Sequence, residues 1–244
     1  MFWTWISLAF AAPASLSTLS PGDLILTEVM PEPAQVSFYR GQWIEIYNNT
    51  GGTVDLDGLI IDDGADTVTI SGAVTVAPGD YAVIARRDNP AQNGGIPTVD
   101  VRASALRLYR NQTLTLRDAD TVFDQVTFTD ADFPDSVGSS LSLSTDLRDA
   151  AANDSSESWC PASSTYGDGD FGTPGSDNDD CPMPLSSAVV GDLIVTEVMR
   201  TTTAVESFRG EWFEIRNNAA RSINLNGLQI SDDGADILVV AEDL

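Results

Sequence analysis

The segment Gly22-Asp23-Leu24-Ile25-Leu26-Thr27-Glu28-Val29-Met30 returns as Gly191-Asp192-Leu193-Ile194-Val195-Thr196-Glu197-Val198-Met199, an offset of 191 − 22 = 169 residues. At the same offset Arg40-Gly41-Gln42-Trp43-Ile44-Glu45-Ile46-Tyr47-Asn48-Asn49 returns as Arg209-Gly210-Glu211-Trp212-Phe213-Glu214-Ile215-Arg216-Asn217-Asn218. Leu56-Asp57-Gly58-Leu59 matches Leu225-Asn226-Gly227-Leu228, and one inserted residue later Asp62-Asp63-Gly64-Ala65-Asp66 matches Asp232-Asp233-Gly234-Ala235-Asp236. Blocks repeated in order at near-constant spacing mean tandem copies of one module. The chain therefore divides into a leader (1–20), a first module (22–182), a linker (183–190) and the opening third of a second module (191–244).

Short runs rich in β-branched and aromatic residues, separated by Gly, Asn and Asp, predict strands over 24–30, 43–48, 54–61, 67–70, 81–85, 113–117, 122–128 and 140–143. Tight turns fall at Asn49-Thr50-Gly51-Gly52, Asp63-Gly64 and Pro78-Gly79-Asp80. No stretch keeps a helical period, so the fold class is all-β, a two-sheet sandwich or a barrel. Alternation puts Ile44 and Ile46 on one face, with Trp43, Glu45 and Tyr47 on the other. In the first strand it sets Ile25, Thr27 and Val29 against Leu24, Leu26, Glu28 and Met30. Both faces are apolar, so Glu28 and Glu45 sit in apolar rows and need an Arg, backbone donors or a cation. Arg40, just ahead of the second strand, is the expected ion-pair partner; the second copy keeps the set as Glu197, Glu214 and Arg209.

Formal net charge is −25, all twelve basic residues are Arg, and Lys and His are absent. The acidity repels phosphate and argues against nucleic acid. Without His or Lys there is no Ser–His or Cys–His pair, Schiff base or Walker loop. The apolar N-terminus, followed by Ala9-Phe10-Ala11 and Ala12-Pro13-Ala14, has the form of a cleavable export signal, too short for a stable membrane span. An exported chain with two cysteines is expected to join Cys160 to Cys181.

The residues resemble the lamin-tail domain, in its bacterial secreted form. The resemblance runs from Gly22 to Pro31 and through Arg40–Asn48, Val54–Gly58 and Pro78-Gly79-Asp80-Tyr81-Ala82-Val83-Ile84-Ala85. It continues through Leu114–Asp118, Trp159-Cys160 and the closing Tyr166-Gly167-Asp168-Gly169-Asp170-Phe171-Gly172-Thr173-Pro174-Gly175. It implies an immunoglobulin-like β-sandwich and a binding or tethering unit that brings no catalytic residues. The chromatin contacts of nuclear lamins do not carry over, because this chain has no heptad rod, basic patch or prenylation box.

Several residue groups invite a site. Asp168, Asp170, Asp177, Asp179 and Asp180 form either a solvated loop stapled by the disulfide or a Ca²⁺ site, although their spacing is not that of an EF-hand. Asp62, Asp63 and Asp66, repeated as Asp232, Asp233 and Asp236, read first as turns bonding their own backbone. Glu28 with Glu45 has the composition of a glycosidase pair but reads more simply as structure. Trp43, Trp159 and Trp212 are expected to pack rather than bind sugar. The expected function is a secreted or cell-surface, non-enzymatic module for protein or surface attachment, with an unidentified protein or cell-surface ligand and no cofactor beyond the Ca²⁺ alternative. The alternatives are an accessory part of a larger secreted hydrolase or nuclease whose catalytic domain lies beyond residue 244, and a Ca²⁺-stabilised adhesin-like array. Residues 191–244 hold opening strands only, so they are expected to be unstable alone, or to self-associate with another copy.

Overall fold

The computed structural model describes residues 12–131, 133, 137–232, 234 and 237–241. Most of the expected leader, including Ala9-Phe10-Ala11, lies outside the described residues, as do Asp233 and Asp236. Two compact units divide the chain, Met1–Asp179 and Asp180–Leu244.

The first unit is built of short strands. They are β1 (Ala14–Ser15), β2 (Leu24–Met30), β3 (Trp43–Asn48), β4 (Val54–Asp55), β5 (Ile60–Asp62), β6 (Thr67–Thr69), β7 (Thr75–Val76) and β8 (Tyr81–Ala85). Then follow β9 (Val101–Arg102), β10 (Gln112–Arg117), β11 (Val122–Phe128), β12 (Leu141–Leu143), β13 (Trp159–Pro161), β14 (Thr165–Tyr166) and β15 (Asp170–Phe171). One sheet has the order β13-β12-β2-β3-β8-β9 and a second the order β11-β10-β5-β6. The apolar rows of these sheets meet in one core. Leu24, Leu26, Val29, Ile44, Ile46 and Ile84 come from the first sheet; Ile61, Leu114, Leu116, Phe123 and Val126 come from the second. Burial of this area is the main term holding the sandwich together.

The expected strand 54–61 is two strands. Gly58 adopts φ 91°, a left-handed conformation open to glycine at low cost, and the turn at Leu56–Gly58 ends β4 and redirects the chain into β5. β4 joins a small sheet, β1-β4-β7, while β5 enters the four-stranded one.

A second departure lies inside β2. Leu26 pairs with Ile46, yet Glu28 pairs with Glu45, so Thr27 is an extra residue in a β-bulge. Strict alternation put Glu28 with Leu24 and Leu26; the bulge turns it to the opposite face, beside Glu45 and next to Met30 and Trp43.

The module also starts earlier than its motif. Ala14 pairs in parallel with Val54, and Leu16 is buried in the core. In the second unit Met183 pairs in parallel with Ile223. Both partners are shifted by the repeat's own offset, 183 − 14 = 169 and 223 − 54 = 169. Ala14 and Leu16 thus take part in the first unit, and residues 183–190 lie within the second. Cleavage after Ala14 would remove a residue that bonds the sheet, since Ala14 N–H donates to Thr53 O.

The second unit consists of two hairpins, Leu193–Met199 with Trp212–Asn217 and Gln229–Ser231 with Ile237–Val239. The first hairpin repeats the bulge, between Val195 and Glu197, and Thr196 Oγ1 donates to Glu214 Oε1 just as Thr27 Oγ1 donates to Glu45 Oε1.

Cys160 and Cys181 are disulfide-bonded. Closing a loop of about twenty residues stabilises the native chain by about 3 kcal/mol on a chain-entropy basis. Reduction is therefore expected to lower the first unit's Tm by several degrees; an unchanged melting curve with and without reductant would show that the bridge does not constrain the unfolded chain.

Candidate functional site

Two features of the first unit qualify as sites: the buried glutamate pair and an open groove at one end of the sandwich. The pair comes first because the strand pairing creates it. Register places Glu28 opposite Glu45, and both are fully buried. Glu28 Oε1 accepts from Ser140 Oγ, from Ser142 Oγ at 3.1 Å and from Thr173 N–H at 3.0 Å; its Oε2 accepts from Thr173 Oγ1 at 3.0 Å. Glu45 accepts from Thr27 Oγ1 at 2.9 Å and from Gly175 N–H at 2.7 Å. The closing segment Gly172-Thr173-Pro174-Gly175 is thus fastened onto the sheet by two carboxylates. A Cβ at Gly172 would lie 3.0 Å from Trp43 and 3.1 Å from Glu28 Oε1, so a side chain there would force those neighbours to give by a few tenths of an ångström.

Burial pushes Glu28 up to about 7, against the pull of its hydrogen bonds from Ser140, Thr173 and Ser142. Glu45 is raised well above the usual carboxylate range by burial and then by the charge of Glu28. The expected Arg40 partnership is not formed. Arg40 is exposed in the short helix Phe38–Gly41, and hydroxyl and backbone donors fill the role instead. The basic group whose field reaches Glu45 is Arg148, which stacks on Tyr47 at 4.7 Å and pairs with Asp177 at 3.0 Å. A fully buried pair has no face open to a sugar, so its geometry serves cohesion rather than glycoside hydrolysis.

The acidic tail does not converge. Among the described residues no group of three or more acidic or cysteine side chains is placed to hold a metal ion. Asp170 accepts the backbone N–H groups of Ala34 and Gln35, Asp177 accepts from Tyr81 Oη, and Asp179 accepts from Ser163 and Ser164. These three carboxylates each hold a separate segment, and Asp168 is exposed. Asp62 and Asp63 bond the backbone of their own turn at Gly64, Ala65 and Asp66, while Asp66 lies 3.6 Å from Arg107. In the second copy Asp232 likewise accepts from Gly234 N–H.

Trp43 and Trp159 are buried and hydrogen-bonded, to Tyr166 Oη and Asn153 O respectively. Trp212, the counterpart of Trp43, is 44% exposed.

The open site is a groove of about 770 Å³ lined by Pro31, Pro33, Val36, Phe38, Gln42 and Tyr109, among others. Phe38 and Tyr109 are each about half exposed, and Phe38 meets the exposed Tyr39 edge to face at 5.4 Å. The walls are fixed in advance. Asp170 pins the loop at Ala34 and Gln35, and buried Gln42 donates to Pro31 O and Leu108 O. Gly41 permits the close fold of this loop, because a Cβ there would sit 2.6 Å from Val36 and 2.8 Å from Pro33. Arg110 bridges to Glu32 at 2.6 Å on the rim. A largely apolar, preformed concavity with a few fixed polar groups is the usual form of a ligand seat. Sequence reading missed it because its lining comes from three separate loops. The one local signal was an aromatic pair, Phe38-Tyr39, in a turn with no core to fill.

Together, the two packed, mainly antiparallel sheets define an immunoglobulin-like β-sandwich. Residues 17–130 match the family described as Lamin Tail Domain. No curated protein and no solved structure matches the chain. Among the described residues no helix is long and apolar enough to cross a membrane.

Proposed function

We propose that this chain is a secreted or cell-surface, non-catalytic tethering module, and that its ligand seats in the groove between Phe38 and Tyr109. The observation that carries the reading is the preformed groove with half-exposed aromatic walls on a domain whose own core is already complete. Rigid aromatics offer large contact area at low entropic cost. The lamin tail family assignment supports a binding role, and the absence of Lys and His from the sequence supports a non-catalytic one.

The test uses labelled full-length chain incubated with the cells that produce it. Wild type should be retained at the surface, while Phe38→Ser/Tyr109→Ser should wash off. Both positions are exposed, so the unfolding midpoint should move by no more than about 0.5 kcal/mol per site. Equal retention of the two proteins, or hydrolysis of nucleic acid, phosphoesters or glycosides by purified wild type, would sink the reading.

A further inference from the structure

We infer that Gly172–Gly175 is a proton-controlled strap: it lies closed on the sheet while the buried pair Glu28–Glu45 holds a proton, lifts as the pair ionises, and in lifting frees one wall of the groove. The strap's middle is tied to the sheet through carboxylates. Thr173 N–H and Oγ1 donate to Glu28, and Gly175 N–H donates to Glu45. Its ends are held by other means. Upstream lies the two-residue strand β15; downstream, buried Asn178 donates to Thr27 O and Leu143 O, and Cys181 is disulfide-bonded. The part that can lift is thus the part held by groups that titrate.

Glu28 and Glu45 are direct cross-strand partners, a placement that sets Cβ atoms about 5 Å apart. Two charges so close in a buried site disfavour each other's ionisation. Among the described residues no salt bridge reaches either one. Around them stand the hydroxyls of Thr27, Ser140, Ser142 and Thr173, then Tyr81 from β8, Tyr166 from β14 and Arg148. Burial holds both tyrosines above their usual range, so they stay neutral. Arg148 is engaged with Asp177 and Tyr47. The acids beside the two tyrosines, Asp170 and Asp177, add negative charge.

Asp170 carries the motion to the groove. It lies two residues before Gly172, is buried, and accepts from Ala34 N–H at 2.9 Å and Gln35 N–H at 3.2 Å. Those amides sit between Pro33 and Val36, which line the groove. Asp170 is itself held above the usual range by burial, so its titration acts in the same direction.

An opening that lets water reach Glu28 returns its pKa from about 7 to 4.5, so opening is favoured roughly thirtyfold more at pH 8 than at pH 5.5. Amide hydrogen exchange of the full-length chain at these two pH values, read by NMR and corrected for intrinsic rates, tests the strap. The amides of Thr173, Gly175, Ala34 and Gln35 should be less protected than those of β3 and β8 at both, the mark of a local opening. Their protection should fall roughly thirtyfold between pH 5.5 and 8, and Glu28→Gln should remove most of that fall. Protection of Ala34 and Gln35 that is unchanged by pH, or equal to that of β3 at both values, would overturn the strap. So would a fall that persists undiminished in both Glu28→Gln and Glu45→Gln. No ligand enters this measurement, so its failure leaves the seat at Phe38 and Tyr109 standing, and equal surface retention of wild type and Phe38→Ser/Tyr109→Ser leaves the strap standing.

Discussion

Urea unfolding of the first unit at pH 4.5, 6 and 8 should show stability falling as the pH rises. The cause is the buried pair. Glu28 moves from 4.5 to about 7 on folding, so the folded state binds its proton more tightly than the unfolded chain does. Its contribution is therefore fully present below about pH 4.5 and is lost as the pH climbs through about 7. At about 1.4 kcal/mol per pKa unit, the loss is on the order of 3 kcal/mol. Glu45 is shifted in the same direction, and Asp124, buried and raised to about 6, adds a loss between its ordinary value and that pH. Asp149, Asp177 and Asp179 are held below the usual carboxylate range, so their contributions are present throughout this window and fail only under stronger acid.

The usual profile of an acidic domain, weakened by acid because its paired carboxylates protonate, is thus inverted above pH 4.5. A Glu28→Gln substitution keeps the shape and removes the titration. The hydroxyls of Ser140, Ser142 and Thr173 can rotate to accept from the new amide. The variant should lose most of the pH dependence and equal or exceed wild type at pH 8. Stability that rises from pH 4.5 to 8 would mean the pair is stabilised as two anions, and the burial argument would fail.

The second large effect compares two copies of one residue. Trp43→Ala is expected to destabilise the first unit by about 3–5 kcal/mol, because it empties a fully buried site. Trp43 packs with Met30, Val83, Ala85, Ile96 and Tyr166 and meets the Tyr166 ring edge-on at 5.9 Å. The loss would also leave Tyr166 Oη without its indole donor. Trp212→Ala, at the same place in the repeat, removes a side chain that is 44% exposed, and should leave the first unit's unfolding midpoint within about 0.5 kcal/mol of wild type. Denaturation followed by tryptophan fluorescence and far-UV circular dichroism distinguishes the two. Equal losses would show that the repeated hairpins have equivalent packing.

Much of the fold was legible because it is local. β2, β3, β8 and β11 lie at the expected residues, each a run of β-branched or aromatic side chains ended by a turn. The structural reading of Trp43 and Trp159 rested on the same pattern. What the pattern concealed was set by single backbone decisions. A left-handed glycine split one strand between two sheets. One extra residue at Thr27 carried Glu28 across the sheet, and apolar periodicity has no term for a bulge. The early start of the module was legible in principle, since Leu16-Ser17 recurs as Leu185-Ser186 at the repeat offset, but the block is too short to stand out beside the longer ones.

The site was the less legible part. Arg40 was the nearest base along the sequence, yet Glu28 is satisfied by Ser140 and Thr173, which are 112 and 145 residues away. The five tail aspartates looked like a cluster because they are close in sequence, but Asp170, Asp177 and Asp179 are each drawn to a different partner. By itself the sequence determined most of the longer strands, their turns, the recurrence of its own opening blocks and the exclusion of histidine and lysine chemistry, all of which depend on residue identity and short-range spacing. Only the tertiary structure decided which carboxylates share a face, which donors reach them, and where an aromatic groove stays open. Those depend on desolvation and on partners brought together by the packing of two sheets, and no local period encodes them.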